Sequence, residues 1–180
     1  NVVRKLKEAQ TAAKLDARYA RNVDALLAVQ PRPLAASEIT VKLGQNWIKS
    51  DDVEAFTREA LNEPMRVSYS ARLGQWTVEQ RGSNYTEYNT PKMAAGDILA
   101  AVLNNRTIKV SYKDAEGKTH VDAVATEKAN DVANKMRDKF ASWIWTDVPR
   151  ADRLVKYYNE NFNNIVPRKF DGSHLTLPGV

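Results

Sequence analysis

The first thirty residues contain neither glycine nor proline, and Pro31 and Pro33 then follow in quick succession. Good helix formers fill the run, and Leu6, Ala9, Ala13, Ala17, Ala20 and Leu27 recur at roughly helical spacing. The pattern predicts one long helix over residues 3–29, stopped by prolines that cannot continue it. Its apolar stripe is narrow and Ala-rich. Such a helix either packs closely on a neighbour or projects as an arm out of a preceding domain. Residues 1–33 carry seven Lys/Arg against three Asp/Glu, whereas residues 34–146 carry fifteen of each. A basic helix is an expected footprint of phosphate-backbone contact, because each neutralised phosphate releases condensed counterions. A merely solvated helix face is the plainer reading of the same charge.

Beyond the prolines, residues 37–48 form a short segment in which Leu43-Gly44 would stop a helix. Ser50-Asp51-Asp52 then caps a helix to about Leu61, with Val53, Phe56 and Leu61 facing inward. Met65–Tyr69 and Gln75–Gln80 alternate apolar and polar residues around Leu73-Gly74, the pattern of a hairpin. Thr90-Pro91 is a helix-start signal, a capping residue followed by proline at the first helical position, for a helix reaching Leu103. Met93, Ile98, Leu99, Val102 and Leu103 should turn inward. A second hairpin, Thr107–Tyr112 with Thr119–Ala123, closes over Asp114-Ala115-Glu116-Gly117. Two helices follow. One spans 126–145 with Val132, Met136, Phe140 and Trp143 on a stripe, the other 149–162 with Leu154 and Tyr157 or Tyr158 inside.

Leu61-Asn62 before Val67-Ser68-Tyr69 recurs as Leu103-Asn104 before Val110-Ser111-Tyr112. Two helix-plus-hairpin units would place their strands in one small antiparallel sheet, since an isolated hairpin is marginal in water; chance resemblance is the competing account. The fold class is therefore α+β, predominantly helical, with a small antiparallel sheet from two hairpins and a long N-terminal helix. Three regions result: a basic helical arm over 1–33, a body over 34–165, and an extended tail over 166–180 leading to a following domain.

Catalytic chemistry finds no foothold. Cysteine is absent, which removes disulfides, thiolate metal sites and cysteine nucleophiles, and fits a reducing cytoplasm. The two histidines, His120 and His174, lie more than fifty residues apart, neither with a carboxylate at helical spacing suited to a metal or a hydrolytic dyad. Asp171, Ser173 and His174 are loop neighbours, without the opposed geometry of a triad. Gly44 to Ser50 and Gly117-Lys118-Thr119 imitate a phosphate loop, but the first has Ile48 where glycine must precede the lysine. The second has Tyr112 where the upstream glycine belongs. No metal and no cofactor is expected. Hydrophobic residues at 43% and charged residues at 27% describe a chain that folds, and no run approaches the ~20 apolar residues of a membrane span. Asn84-Tyr85-Thr86 and Asn105-Arg106-Thr107 are formal glycosylation tripeptides, a pattern common by chance. Aromatic residues offer two stacking platforms: Trp143 with Trp145, of which at least one should leave the helix's core face, and Trp76, Tyr85 and Tyr88 near Arg72 and Arg81. Burial is the plainer reading of both.

The chain opens on Asn1 and passes directly to the charged run Arg4, Lys5, Lys7, Glu8, without a starting Met or a signal core, as expected of an internal piece of a larger polypeptide. Several stretches carry a resemblance: Tyr19 to Leu26, Val29-Gln30-Pro31, Ser37-Glu38-Ile39 with Leu43-Gly44 and Trp47-Ile48, Phe140 with Trp143-Ile144-Trp145, Tyr158-Asn159 with Phe162-Asn163, and the closing Phe170 to Gly179. Together they resemble the very large helicase and adenine-specific DNA methyltransferase polypeptides of phages, plasmids and integrative elements, some implicated in evading restriction. The chain is similar to the region between the methylase part and a Swi/Snf-like helicase motor.

That resemblance implies DNA as the parent's substrate, ATP and S-adenosylmethionine as ligands of other domains, and a bacterial cytoplasm. It brings no catalytic residue onto any position here. Two functions remain open. A non-catalytic accessory domain would contact DNA, or couple methylase to motor, through Arg4, Lys5, Lys7, Lys14, Arg18 and Arg21, with Arg168 and Lys169. A structural spacer would instead dock its helix and tail on flanking domains without binding DNA.

Overall fold

A computed structural model describes residues 1–80 and 86–164. They divide into two compact units: Asn1–Ile39 with the chain from Asp152 onward, and Thr40–Ala151. The architecture is α+β, with six α-helices and two small antiparallel sheets among the described residues.

In the first unit the expected single helix is two. α1 (Val2–Leu15) and α2 (Ala20–Ala28) are separated by a 3-10 turn over Ala17–Tyr19. The break falls at Asp16, whose backbone is extended at φ −149°, ψ 118°. Its carboxylate accepts the Arg18 N–H at 2.9 Å and takes the guanidinium at 2.9 and 2.7 Å. An Asp side chain that satisfies nearby donors offers the backbone an alternative to the helix, which the run of helix formers around it does not disclose. α1 and α2 then pack as a hairpin, with Ala9 and Ala12 sharing a groove with Ala25 and Leu26. The Gln30 amide closes the open end by donating to the Leu26 carbonyl at 2.7 Å and the Val2 carbonyl at 3.4 Å. Small side chains let the helices approach but remove little apolar area from water, and neither helix contains a buried residue. The segment after α2 is held by asparagines at the end of α6 (Val148–Asn161). Asn159 exchanges two hydrogen bonds with the Leu34 backbone, 2.8 and 2.9 Å, and Asn163 donates to the Arg32 carbonyl at 2.7 Å.

The second unit contains a packed core. α3 (Ser50–Glu59) begins with Asp51 and Asp52 in its first turn, where the helix dipole favours negative charge. β1 (Met65–Ser70) pairs with β2 (Gln75–Gln80) in the register Met65↔Gln80 through Ser70↔Gln75. The turn uses Gly74 at φ +62°. Met65 and Val67 point inward while Arg66 and Ser68 face solvent. α4 (Ala95–Leu103) buries Ile98, Leu99, Val102 and Leu103 as the spacing required. β3 (Ser111–Lys113) pairs with β4 (Thr119–Val121), and α5 (Ala123–Trp143) follows. The expected shared sheet is not formed: β1–β2 and β3–β4 are separate two-stranded sheets. Each hairpin is stabilised by helices instead. β1 and β2 lie on α3 and α4. The β3 side ties to α5, where the Val110 N–H donates to the Thr126 hydroxyl at 2.9 Å. The helix-then-strand order of the proposed repeat does recur, with Leu61 and Leu103 both buried at the helix ends. Left-handed backbone follows each, at Asn62 in one copy and at Asn105 in the other.

Phe56 and Phe140 meet edge to face, centroids 5.1 Å apart, with Leu61, Ile98, Leu99, Met136 and Ile144 also buried. Trp143 ends α5 half-buried against Phe56 and is covered by the Arg150 guanidinium, 3.7 Å from its ring centre. Arg150 also donates to the carbonyls of Ile144 and Trp143, both at 3.0 Å. It thereby satisfies acceptors that a helix end leaves unpaired.

The start of α4 departs from expectation. Thr90 exchanges hydrogen bonds with Met93 in a local turn rather than capping the helix. The first helical N–H groups are met from afar, Ala95 by Asn89 Oδ1 and Gly96 by Gln80 Oε1, each at 2.9 Å. Both amides turn their NH₂ groups to the buried Glu63 carboxylate, at 2.6 and 2.5 Å, and the Thr86 hydroxyl donates to it at 2.6 Å. Glu63 therefore fixes which way two amides point, and through them where α4 begins.

Candidate nucleic-acid interface

The hairpin carries six of the eight cations picked out by the sequence, and it does not gather them in one place. Arg4 pairs with Glu8 one turn along α1 at 3.3 Å, and Lys7 stands 4.0 Å from Glu160, at the limit of an ion pair. Arg18 is engaged by Asp16, whose carboxyl it holds below the usual range. No described carboxylate lies within ion-pair distance of Lys5, Lys14 or Arg21. Lys5 lines a groove of about 470 Å³ with Glu8, Tyr19 and Asn22, and Lys14 lines another of about 520 Å³ with Gln10, Val23 and Asp24. Each groove thus mixes one cation with one carboxylate. Arg168 and Lys169, like the Asp171, Ser173 and His174 trio, lie outside the described residues.

The hairpin also exposes apolar side chains. Leu15 is 87% exposed and Leu27 52%, with Tyr19 and Val29 exposed as well. Arg32 and Glu38 close the segment beyond it with bonds of 2.9 and 2.5 Å, and this contact holds the Glu38 carboxyl down at about 2.

Two rings of the expected aromatic platforms belong to the core. Trp76 is buried and donates its indole N–H to the Gly44 carbonyl, and Tyr88 is buried with its hydroxyl accepting from Lys139 at 2.9 Å. Tyr85 and Arg81 lie outside the described residues. Trp143 and Trp145 are both half-buried, so neither is presented as an open face.

One pairing escaped the sequence reading. His120 Nε2 lies 2.6 Å from Asp114 Oδ2, and Asp114 Oδ1 also accepts the N–H groups of Glu116 and Lys118. The histidine beside it, then those backbone donors, hold this carboxyl below its usual range. Tyr112 stacks on the imidazole at 5.7 Å, and Lys92 sits over the Tyr112 ring while bonding Asp122 at 2.5 Å. The signal was the hairpin itself: Tyr112 pairs with His120 across it, so Asp114, two residues on at the start of the turn, is the diagonal neighbour of the imidazole, whatever their helical spacing. Among the described residues no group of three His, Asp or Glu side chains is placed to hold a metal, and no helix is long and apolar enough to cross a membrane.

The family model described as Domain of unknown function (DUF8437) matches residues 42–164, more than half of the chain. The chain belongs to the DUF8437 family. The DUF8437 stretch holds the packed core, the Glu63 cluster and the Asp114–His120 pair, while α1, α2 and their six cations precede it. Neither the curated proteins nor the solved structures contain a match to the chain.

Proposed function

We propose that the chain is a non-catalytic accessory domain of a large DNA-processing polypeptide, of the helicase and adenine-specific methylase kind that its motifs resemble, and that the α1–α2 hairpin touches the DNA backbone. The observation carrying this reading is a paired-helix surface with Lys5, Lys14 and Arg21 exposed and unmatched by any described carboxylate. Cations spread around two helices, rather than converging on a slot, suit sequence-independent attraction to a polyanion. Arg18 contributes less than its position suggests, because Asp16 competes for its guanidinium. ATP and S-adenosylmethionine belong to other domains of such a polypeptide, and methylase and helicase parts would flank this one in a bacterial cytoplasm.

The experiment is a mobility shift of the chain on duplex DNA at two salt concentrations. Binding should weaken steeply with salt, and Lys14→Glu with Arg21→Glu should weaken it more than Arg18→Glu alone. No shift at low salt ends the proposal.

A second reading has its own support. Exposed Leu15, Tyr19, Leu27 and Val29 on helices that bury nothing suit docking on a neighbouring domain, the role of a spacer or protein-interaction module. DNA binding would then be weak and nearly salt-independent.

A further inference from the structure

A second cationic feature lies within Thr40–Ala151, where the chain approaches β3. Val110 turns both backbone groups toward β4 and α5: its carbonyl accepts the Asp122 N–H at 2.8 Å and its N–H goes to Thr126. Asp114 likewise donates to the Lys118 carbonyl across the hairpin, at 3.0 Å. In an antiparallel ladder the backbone groups of every second residue face the partner. Lys109, Ser111 and Lys113 therefore turn theirs the opposite way, and no described residue bonds them. Burial alternates in step, with Ile108 and Val110 buried and Thr107, Lys109 and Ser111 exposed. Between this stretch and α4 runs a groove of about 470 Å³, lined in part by Met93 and Ala101. Its charged lining is Lys92, already paired with Asp122, and Arg106 and Lys109 against the single carboxylate of Asp97.

We propose that this edge and groove bind an extended acidic peptide by strand addition. An unpaired row of N–H and C=O groups is a ready template for another strand, and a neighbouring groove supplies pockets for alternate side chains. The cations select the charge of the incoming chain. A second copy is disfavoured, because edge-to-edge pairing would bring Lys109 and Lys113 against their own counterparts. A nucleic acid has no backbone in strand register to meet these donors, and the nearby Tyr112 ring is already stacked on His120. The site is independent of the hairpin and of the DNA reading.

The test titrates the full chain into a fluorescein-labelled peptide of about ten residues alternating Glu and Val, read by anisotropy, with a Lys and Val peptide as control. The acidic peptide should bind saturably and the basic one should not. Arg106→Glu with Lys109→Glu should weaken binding about tenfold or more, the scale of one good polar contact, whereas Lys14→Glu with Arg21→Glu should leave it unchanged. Amide exchange should show Val110 and Tyr112 slow in the free chain, and Lys109, Ser111 and Lys113 becoming slow only with peptide. Four results would overturn the proposal: no saturation, equal binding of the two peptides, displacement by a single-stranded oligonucleotide at lower concentration, or outward amides already slow without peptide. Ser111→Pro removes one outward N–H and spares the inward bonds; if circular dichroism shows that it misfolds, the charge reversals and exchange data still decide.

Discussion

The hairpin α1–α2 and the body from Thr40 to Ala151 are built from similar helical sequence and held by different forces. In the body, Phe56, Phe140, Leu99 and Met136 are wholly out of water, and even a carboxylate, Glu63, is buried with its donors supplied. In the hairpin nothing is buried. Its helices meet over Ala9, Ala12 and Leu26 and are closed by polar clasps at Asp16, Gln30 and Arg32. Hydrophobic burial scales with area, so alanine contacts contribute little beside a phenylalanine, and hydrogen bonds exchanged with water contribute modestly. The body should therefore fold as a cooperative unit, while the hairpin opens at low free energy.

The hardest blow to this contrast would come from Phe140→Ala. It should cost about 3–5 kcal/mol in urea unfolding followed by Trp fluorescence; a loss below about 1 would mean that the body is no tighter than the hairpin. Glu63→Gln leaves a buried NH₂ facing other donors and should cost about 2–3 kcal/mol. Its signature is faster amide exchange at Ala95 and Gly96 with α1 and α2 unaltered, and unchanged exchange there would break the link between Glu63 and α4. Arg150→Lys loses the planar cover of Trp143 and a carbonyl contact, about 1–2 kcal/mol, visible as a shifted melting temperature. Leu26→Ala in the hairpin should cost about 1 kcal/mol or less, and a larger loss would show that the hairpin has a core after all.

The smallest effect is electrostatic. Glu38 is held at about 2, below its unfolded value, so the contact with Arg32 contributes fully above ~4.3 and is lost as pH falls through about 2. Both groups are exposed, so the expected sign is a slight loosening of residues 32–38 in acid. Carboxyl NMR of wild type should give a midpoint near 2, returning to the ordinary range in Arg32→Ala; an ordinary midpoint in wild type would remove the clasp.

Periodicity carried most of the body. The inward faces of α3, α4 and α5 were legible because each follows a 3.6-residue repeat of large apolar side chains: Val53 and Phe56, Ile98 and Leu99, Val132, Met136 and Phe140. What escaped was side-chain to backbone bonding. Asp16 breaks the first helix by capping a turn that the surrounding Ala and Leu do not announce. Thr90 looked like the cap of α4, yet residues 6 and 16 positions from the helical N–H groups do the capping. Two hairpins suggested one sheet because strand pairing is the obvious remedy for a marginal hairpin, and helices supplied the remedy instead. In the candidate interface the charge surplus was legible and its surroundings were not, since the break at Asp16 folds α2 back on α1, so that Lys5 and Lys14, nine residues apart on opposite sides of α1, border separate grooves. The outward edge of β3 was equally hidden, because it depends on which residues Asp122 and Thr126 engage.

The amide relay from Glu63 has a consequence in time. An ordinary helix carries its own start signal and can flicker into being within microseconds. α4 does not: its opening N–H groups wait for Gln80, which arrives only when β2 is paired, and for Asn89, which must already be gripped by the same carboxylate. The most apolar of the described helices is thus the one least able to form early, and any slowing of the β1–β2 hairpin leaves its greasy face without a settled beginning.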